Sequence, residues 1–192
     1  MLRHMRESYD LGMATHAVLL RGMNVGGHRI SNEDLRRAFA GMGFDAVGVF
    51  RASGNVAIEA GSTSNTELLK RIEEGLEKSL GYAVPTFLRT AQELRALAAE
   101  QPFDPEAIEA SKGKLQVDLL RERPPKKARE AVLAHTTSQD RLAWAAGGEL
   151  FWLPSGGTLE SELDWKAIER LCGLATRRTK GTIEQMAKKF FA

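Results

Sequence analysis

The residues with the most evident chemistry stand together near the start of the chain. Leu19-Leu20-Arg21-Gly22-Met23-Asn24-Val25-Gly26-Gly27-His28-Arg29-Ile30-Ser31 passes from an apolar stretch through a glycine-rich turn into a helix start. Backbone N–H groups of such a turn, together with the positive end of a helix dipole, favour phosphate or carboxylate. Arg21, Asn24 and Arg29 add side-chain donors, and Gly26 and Gly27 allow close backbone approach. The spacing G-x-x-x-G-G is neither the dinucleotide fingerprint G-x-G-x-x-G nor a P-loop, which needs G-K-[ST] to grip phosphate and Mg²⁺. An anion cradle is the expectation, with glycine-dependent turn geometry as the plainer alternative.

A second basic cluster, Arg177-Arg178-Thr179-Lys180, puts three cations in front of the last helix. Cations are unfavourable there unless a bound anion or a nearby carboxylate compensates them. The histidines His4, His16, His28 and His135 show no metal-ligand spacing, and no Cys-x-x-Cys, His-Glu-x-x-His or Gly-x-Ser-x-Gly run occurs. The sequence therefore calls for neither a metal nor a cofactor, and it singles out no catalytic residue. Cys172, the single cysteine, falls at helical spacing from Trp165 and Ile168 and reads as a small buried hydrophobe rather than a nucleophile.

These residues must be positioned by a repeated order of elements. Ser31-x-x-Asp34, Ser64-x-x-Glu67 and Thr90-x-x-Glu93 are helix starts, and Gly43 and Gly81 are helix stops. Between them lie β-prone runs at His16–Leu20, Val47–Phe50, Val56–Glu59 and Ala83–Leu88, with the turn tripeptide Ser53-Gly54-Asn55 joining the middle two. Residues 15–100 thus read β-α-β-β-α-β plus a helix. After a linker over 101–113, residues 114–192 repeat that order, with no residue-level identity between the halves. The expected fold is α+β, two ferredoxin-like repeats each with an appended helix. Residues 1–14 are polar and aperiodic and read as a mobile tail.

Topology turns this outline into a site. A parallel, right-handed crossover from the first strand to the second would bring the glycine-rich turn and the following hairpin to one sheet edge. Arg21, Asn24, Gly26, Gly27, Arg51, Ser53 and Asn55 would then converge. Arg178 would join them if the second basic cluster reaches the same pocket.

The net charge of +2 does not call for a nucleic-acid partner. The first half's strands carry no aromatics for base stacking, and Trp144, Phe151 and Trp152 in the second half read as core. With no bilayer-length apolar run and no signal peptide, a membrane partner is not expected and the cytoplasm is the expected location.

The opening Leu19–Gly27 run, followed by Ser53-Gly54-Asn55-Val56, resembles the bacterial family called domain of unknown function 1697 (DUF1697). Pro102-Phe103, Lys114–Leu120 and Pro124 look like the family's middle section, and Thr176, Arg178 and Thr182 match its C-terminal Thr-Thr-Arg-Asn-Trp-Asn-Thr motif. Thr179, Lys180 and Gly181 depart from that motif, as does Ala52, which stands where the family has glutamine. The resemblance implies a duplicated ferredoxin-like fold and no assigned activity. The expected function is binding of a small phosphorylated or nucleotide-like anion through Arg21, Asn24, Gly26, Gly27, Ser53, Asn55 and Arg178. The alternative is a non-catalytic interaction module, such as a homodimer formed through open sheet edges.

Overall fold

His16-Ala-Val-Leu-Leu20 shows no alternation of polar and apolar residues because both faces of this strand are covered. The computed structural model describes residues 14–23, 30–44, 47–51 and 54–192. Within them the first half comprises β1 (His16–Leu20), α1 (Asn32–Gly41), β2 (Val47–Val49), β3 (Asn55–Ile58), α2 (Asn65–Leu80), β4 (Thr86–Thr90) and α3 (Ala91–Ala99). A short α4 (Pro105–Ala110) leads into the second half. That half contains β5 (Gln116–Leu120), α5 (Lys126–Leu133), β6 (Asp140–Trp144), β7 (Leu150–Pro154), α6 (Trp165–Cys172), β8 (Ala175–Thr179) and α7 (Lys180–Phe190).

The strands form two four-stranded sheets, ordered β2-β3-β1-β4 and β6-β7-β5-β8, with every neighbouring pair antiparallel. The chain is thus α+β, with one element order and one strand order used twice. Helix starts follow the local chemistry. Ser31, Ser64 and Thr90 accept the backbone N–H three residues on, and Thr90 with Glu93 completes a capping box. α4 lies inside the stretch expected to be a loop. Pro105 opens it at a position where a missing N–H costs nothing, and none of its residues is buried.

Strand alternation divides the core into three. Val18 and Leu20 of β1 face Leu35 and Phe39 of α1 and Leu68, Ile72 and Leu76 of α2. Ala17 and Leu19 point the other way, into a cluster that also holds Val117 and Leu119 of β5, Phe151 and Leu153 of β7, and apolar residues of α3 and α7. A third cluster, around Leu142, Trp152 and Ile168, lies under α5 and α6. The two halves therefore share their largest core. Ala14, at the end of the expected tail, is buried in that shared core, while residues 1–13 lie outside the described residues.

The registers align the strands of the two halves residue by residue. Leu20 pairs with Thr86 as Leu120 pairs with Ala175, and Ala17 pairs with Ala57 as Val117 pairs with Phe151. This corrects the sequence expectation that no residue identity links the halves. Leu19-Leu20-Arg21 corresponds to Leu119-Leu120-Arg121, and Arg89-Thr90 to Arg178-Thr179. The two matches run at different offsets, because the loops between them differ in length.

Candidate functional site

Each of the two equivalent strand-end arginines reaches into the other half. Arg178 donates from Nε to Asn55 Oδ1 (2.6 Å) and from Nη2 to the carbonyl of Leu20 (2.7 Å). Arg89 donates from Nε to Glu149 Oε1 (2.7 Å) and from Nη2 to the carbonyl of Leu120 (3.0 Å). Both also donate from Nη1 to the carbonyl of the preceding residue. The two sets of bonds are reciprocal, each half reaching the strand end of the other. Arg121–Glu73 (2.5 Å) and Arg21–Glu169 (3.2 Å) repeat this exchange with ion pairs. Two positions break the symmetry: Arg89 meets the Glu149 carboxylate whereas Arg178 meets the Asn55 amide, and Arg178 also donates to Thr176 Oγ1, where the first half has Phe87. Burial lowers the Arg178 pKa to about 10, so the guanidinium stays a cation at neutral pH.

Three residues singled out by the sequence, Arg21, Asn55 and Arg178, come together at this edge of the first sheet. Gly22 has φ +77° and Gly54 has φ +69°, backbone that other residues rarely adopt. The Leu20 N–H donates to the Gly54 carbonyl at 2.8 Å, and a Cβ on Gly54 would come within 2.7 Å of Met23 Cγ. The end of β1 and the β2–β3 hairpin thus meet as the crossover argument requires. Arg51 stands there too, its guanidinium 5.2 Å from the Phe50 ring centre and Nη2 2.7 Å from Gln185 Oε1. Asn24, Gly26, Gly27 and Ser53 lie outside the described residues.

The second basic cluster is not one cradle, because alternation along β8 sends its neighbours to opposite faces. Arg178 faces the first half, while Arg177 points to the opposite face, towards α6, where Asp118 accepts two hydrogen bonds from it at 2.7 Å each. Its guanidinium lies 3.7 Å from the Trp165 ring centre and 4.6 Å from that of Trp152. Lys180 is held by the Ala98 carbonyl and Glu184. Thr176 and Thr182 have supporting parts: Thr176 Oγ1 accepts from Arg178, and the Thr182 N–H donates to the capping Thr179.

A feature with no local sequence signal is a cleft of about 240 Å³ between Arg21 and α6. Cys172 lines it half-buried, and burial, reinforced by Asp118, pushes its thiol pKa up to about 11. Alkylation of Cys172 by iodoacetamide should accordingly be slow at neutral pH and keep rising towards pH 11. A plateau near pH 8 to 9, where an ordinary thiol ionises, would contradict that environment. Among the described residues no group of three or more His, Cys, Asp or Glu side chains could hold a metal ion. No helix among them is long and apolar enough to cross a membrane.

Residues 13–151 match the family described as protein of unknown function (DUF1697), a span of more than half the chain. The chain belongs to the DUF1697 family. The DUF1697 match takes in the glycine-rich run, the β2–β3 hairpin and the second half as far as β7; Thr176, Arg178 and Thr182 lie beyond it. Among solved structures, the chain is similar to the conserved bacterial protein SP0830 from Streptococcus pneumoniae, with 17% identity and a TM-score of 0.68. That similarity covers 90% of this chain and 96% of the other, and it concerns the fold. No curated protein matches the chain.

Proposed function

We propose that this DUF1697 protein binds a small phosphorylated or nucleotide-like anion at the basic edge of its first sheet, as a cytoplasmic protein built of two ferredoxin-like repeats. The observation that carries this reading is the delivery of Arg178 from the second half onto the Leu20 carbonyl and Asn55. A buried guanidinium fixed at the end of β1 supplies positive charge without needing to reorganise when an anion arrives. Arg21 supplies the adjustable contact. Its partner Glu169 is 3.2 Å away and both side chains are well exposed, so exchanging that pair for a ligand oxygen costs little. The backbone N–H groups of the turn and the side chains of Asn24 and Ser53 complete the proposed donor set.

A thermal-shift panel of phosphate, pyrophosphate, sugar phosphates and nucleotides tests this directly. A ligand at one hundred times its Kd adds about 2.7 kcal/mol, or roughly 5–10 °C for a chain of this size. Arg21→Ala should remove most of that shift while leaving the unliganded melting temperature close to wild type, because its ion pair is exposed. If no member of the panel shifts the transition, or the Arg21 variant responds like wild type, the reading fails. Stability that rises with protein concentration would favour self-association instead.

A further inference from the structure

The two halves differ most where the cleft beside α6 opens. In the first half the position facing α2 is apolar, with Val18 of β1 paired to Leu88 of β4. The equivalent pair in the second half is Asp118 and Arg177. An ion pair in such a place is often no more stabilising than the apolar residues that could replace it. Its presence calls for a reason other than stability. The helices differ as well: α2 has 16 residues and α6 only eight. In the first half Glu73 fills the space over Thr86, accepting its N–H at 2.9 Å while holding Arg121. In the second half the Glu169 side chain pairs, among the described residues, with Arg21, and the equivalent space over Ala175 stays open.

We propose that the anion bound at the first sheet's edge is a nucleotide, with its phosphates towards Arg21 and its base in this cleft. This rests on the anion-binding reading above. A volume of about 240 Å³ is below the roughly 300–1,000 Å³ of sites that enclose a whole small ligand, so the cleft suits one planar fragment. Leu120, Leu150 and Ile168 give that fragment apolar walls. Asp118 takes the Nε and Nη2 donors of Arg177, and among the described residues Nη1 makes no hydrogen bond. That nitrogen is left to meet a ring nitrogen or carbonyl of a base. Arg21 joins the two parts, since it stands at the end of β1 and also lines the cleft.

The test compares pyrophosphate, ribose 5-phosphate and the four common nucleoside diphosphates by calorimetry on the full-length protein. At least one nucleoside diphosphate should bind about tenfold or more tighter than pyrophosphate, the gain from burying its base. The same nucleotide should slow alkylation of Cys172 about fivefold or more, whereas pyrophosphate should not. Ala175→Trp, which fills the cleft, should erase the nucleotide's advantage and leave pyrophosphate affinity unchanged. Equal affinity for pyrophosphate and every nucleotide, with no protection of Cys172, overturns the nucleotide assignment while leaving the anion site standing. Absence of binding by all of these anions overturns both.

Discussion

Replacing Arg89 by alanine is expected to lower the folding free energy by about 3–5 kcal/mol, the largest single-residue effect among the contacts between the halves. Its partner Glu149 has a side chain only 7% exposed, and the substitution would leave that carboxylate buried without its cation. The Leu120 carbonyl would lose a donor as well. For a chain of this length the melting temperature should fall by roughly 10 °C or more. The double variant Arg89→Met with Glu149→Leu should recover most of the loss, because apolar residues of similar size can replace a buried pair at little cost. Thermal or urea unfolding of the two single variants and the double measures the coupling. A loss below about 1 kcal/mol for Arg89→Ala would mean that the pair does not hold the halves together.

Arg178→Ala should follow closely. The Leu20 carbonyl and Asn55 Oδ1 would each lose a charge-assisted bond, worth about 1.5–3 kcal/mol apiece, so a total on the order of 3 kcal/mol is expected. Arg178→Lys should rescue little, since one ammonium cannot reproduce the fork that reaches both acceptors. The sign of the pH dependence follows from the lowered pKa. Burial disfavours the cation, and this cost persists wherever the guanidinium is charged, being relieved only as pH rises through about 10. The stability gap between wild type and Arg178→Ala should therefore stay flat from about pH 6 to 9. A gap that changes steeply within that window would assign the effect to another titrating group.

The parts of the fold set by neighbouring residues were legible in the sequence. Ser31, Ser64 and Thr90 cap the helices expected of them, and Gly81 ends α2 with positive φ. The apolar run of β1 also read as a strand. That run did not show what covers its two faces, and a reading in separate repeats left out the core that the sheets share. The arginine exchange was invisible for a similar reason. Arg178 and Asn55 are 123 residues apart and Arg89 and Glu149 are 60 apart, so no local pattern joins them. Arg177 and Arg178 looked like one basic cluster because a linear string does not display the alternation that separates them. Arg178 was named on the condition that the second basic cluster reaches that edge, and it does reach the Leu20 carbonyl and Asn55.

Anion binding at that edge is tested most directly by calorimetric titration of pyrophosphate into the full-length chain at two salt concentrations. A site formed around Arg21 and Arg178 gives saturable heat with one equivalent per chain and weaker affinity at higher salt. Arg21→Ala abolishes that heat, while Arg123→Ala, an exposed arginine in the equivalent stretch of the second half, leaves it intact. Absence of saturable heat in the wild-type protein, or the same heat in the Arg21 variant, would contradict it.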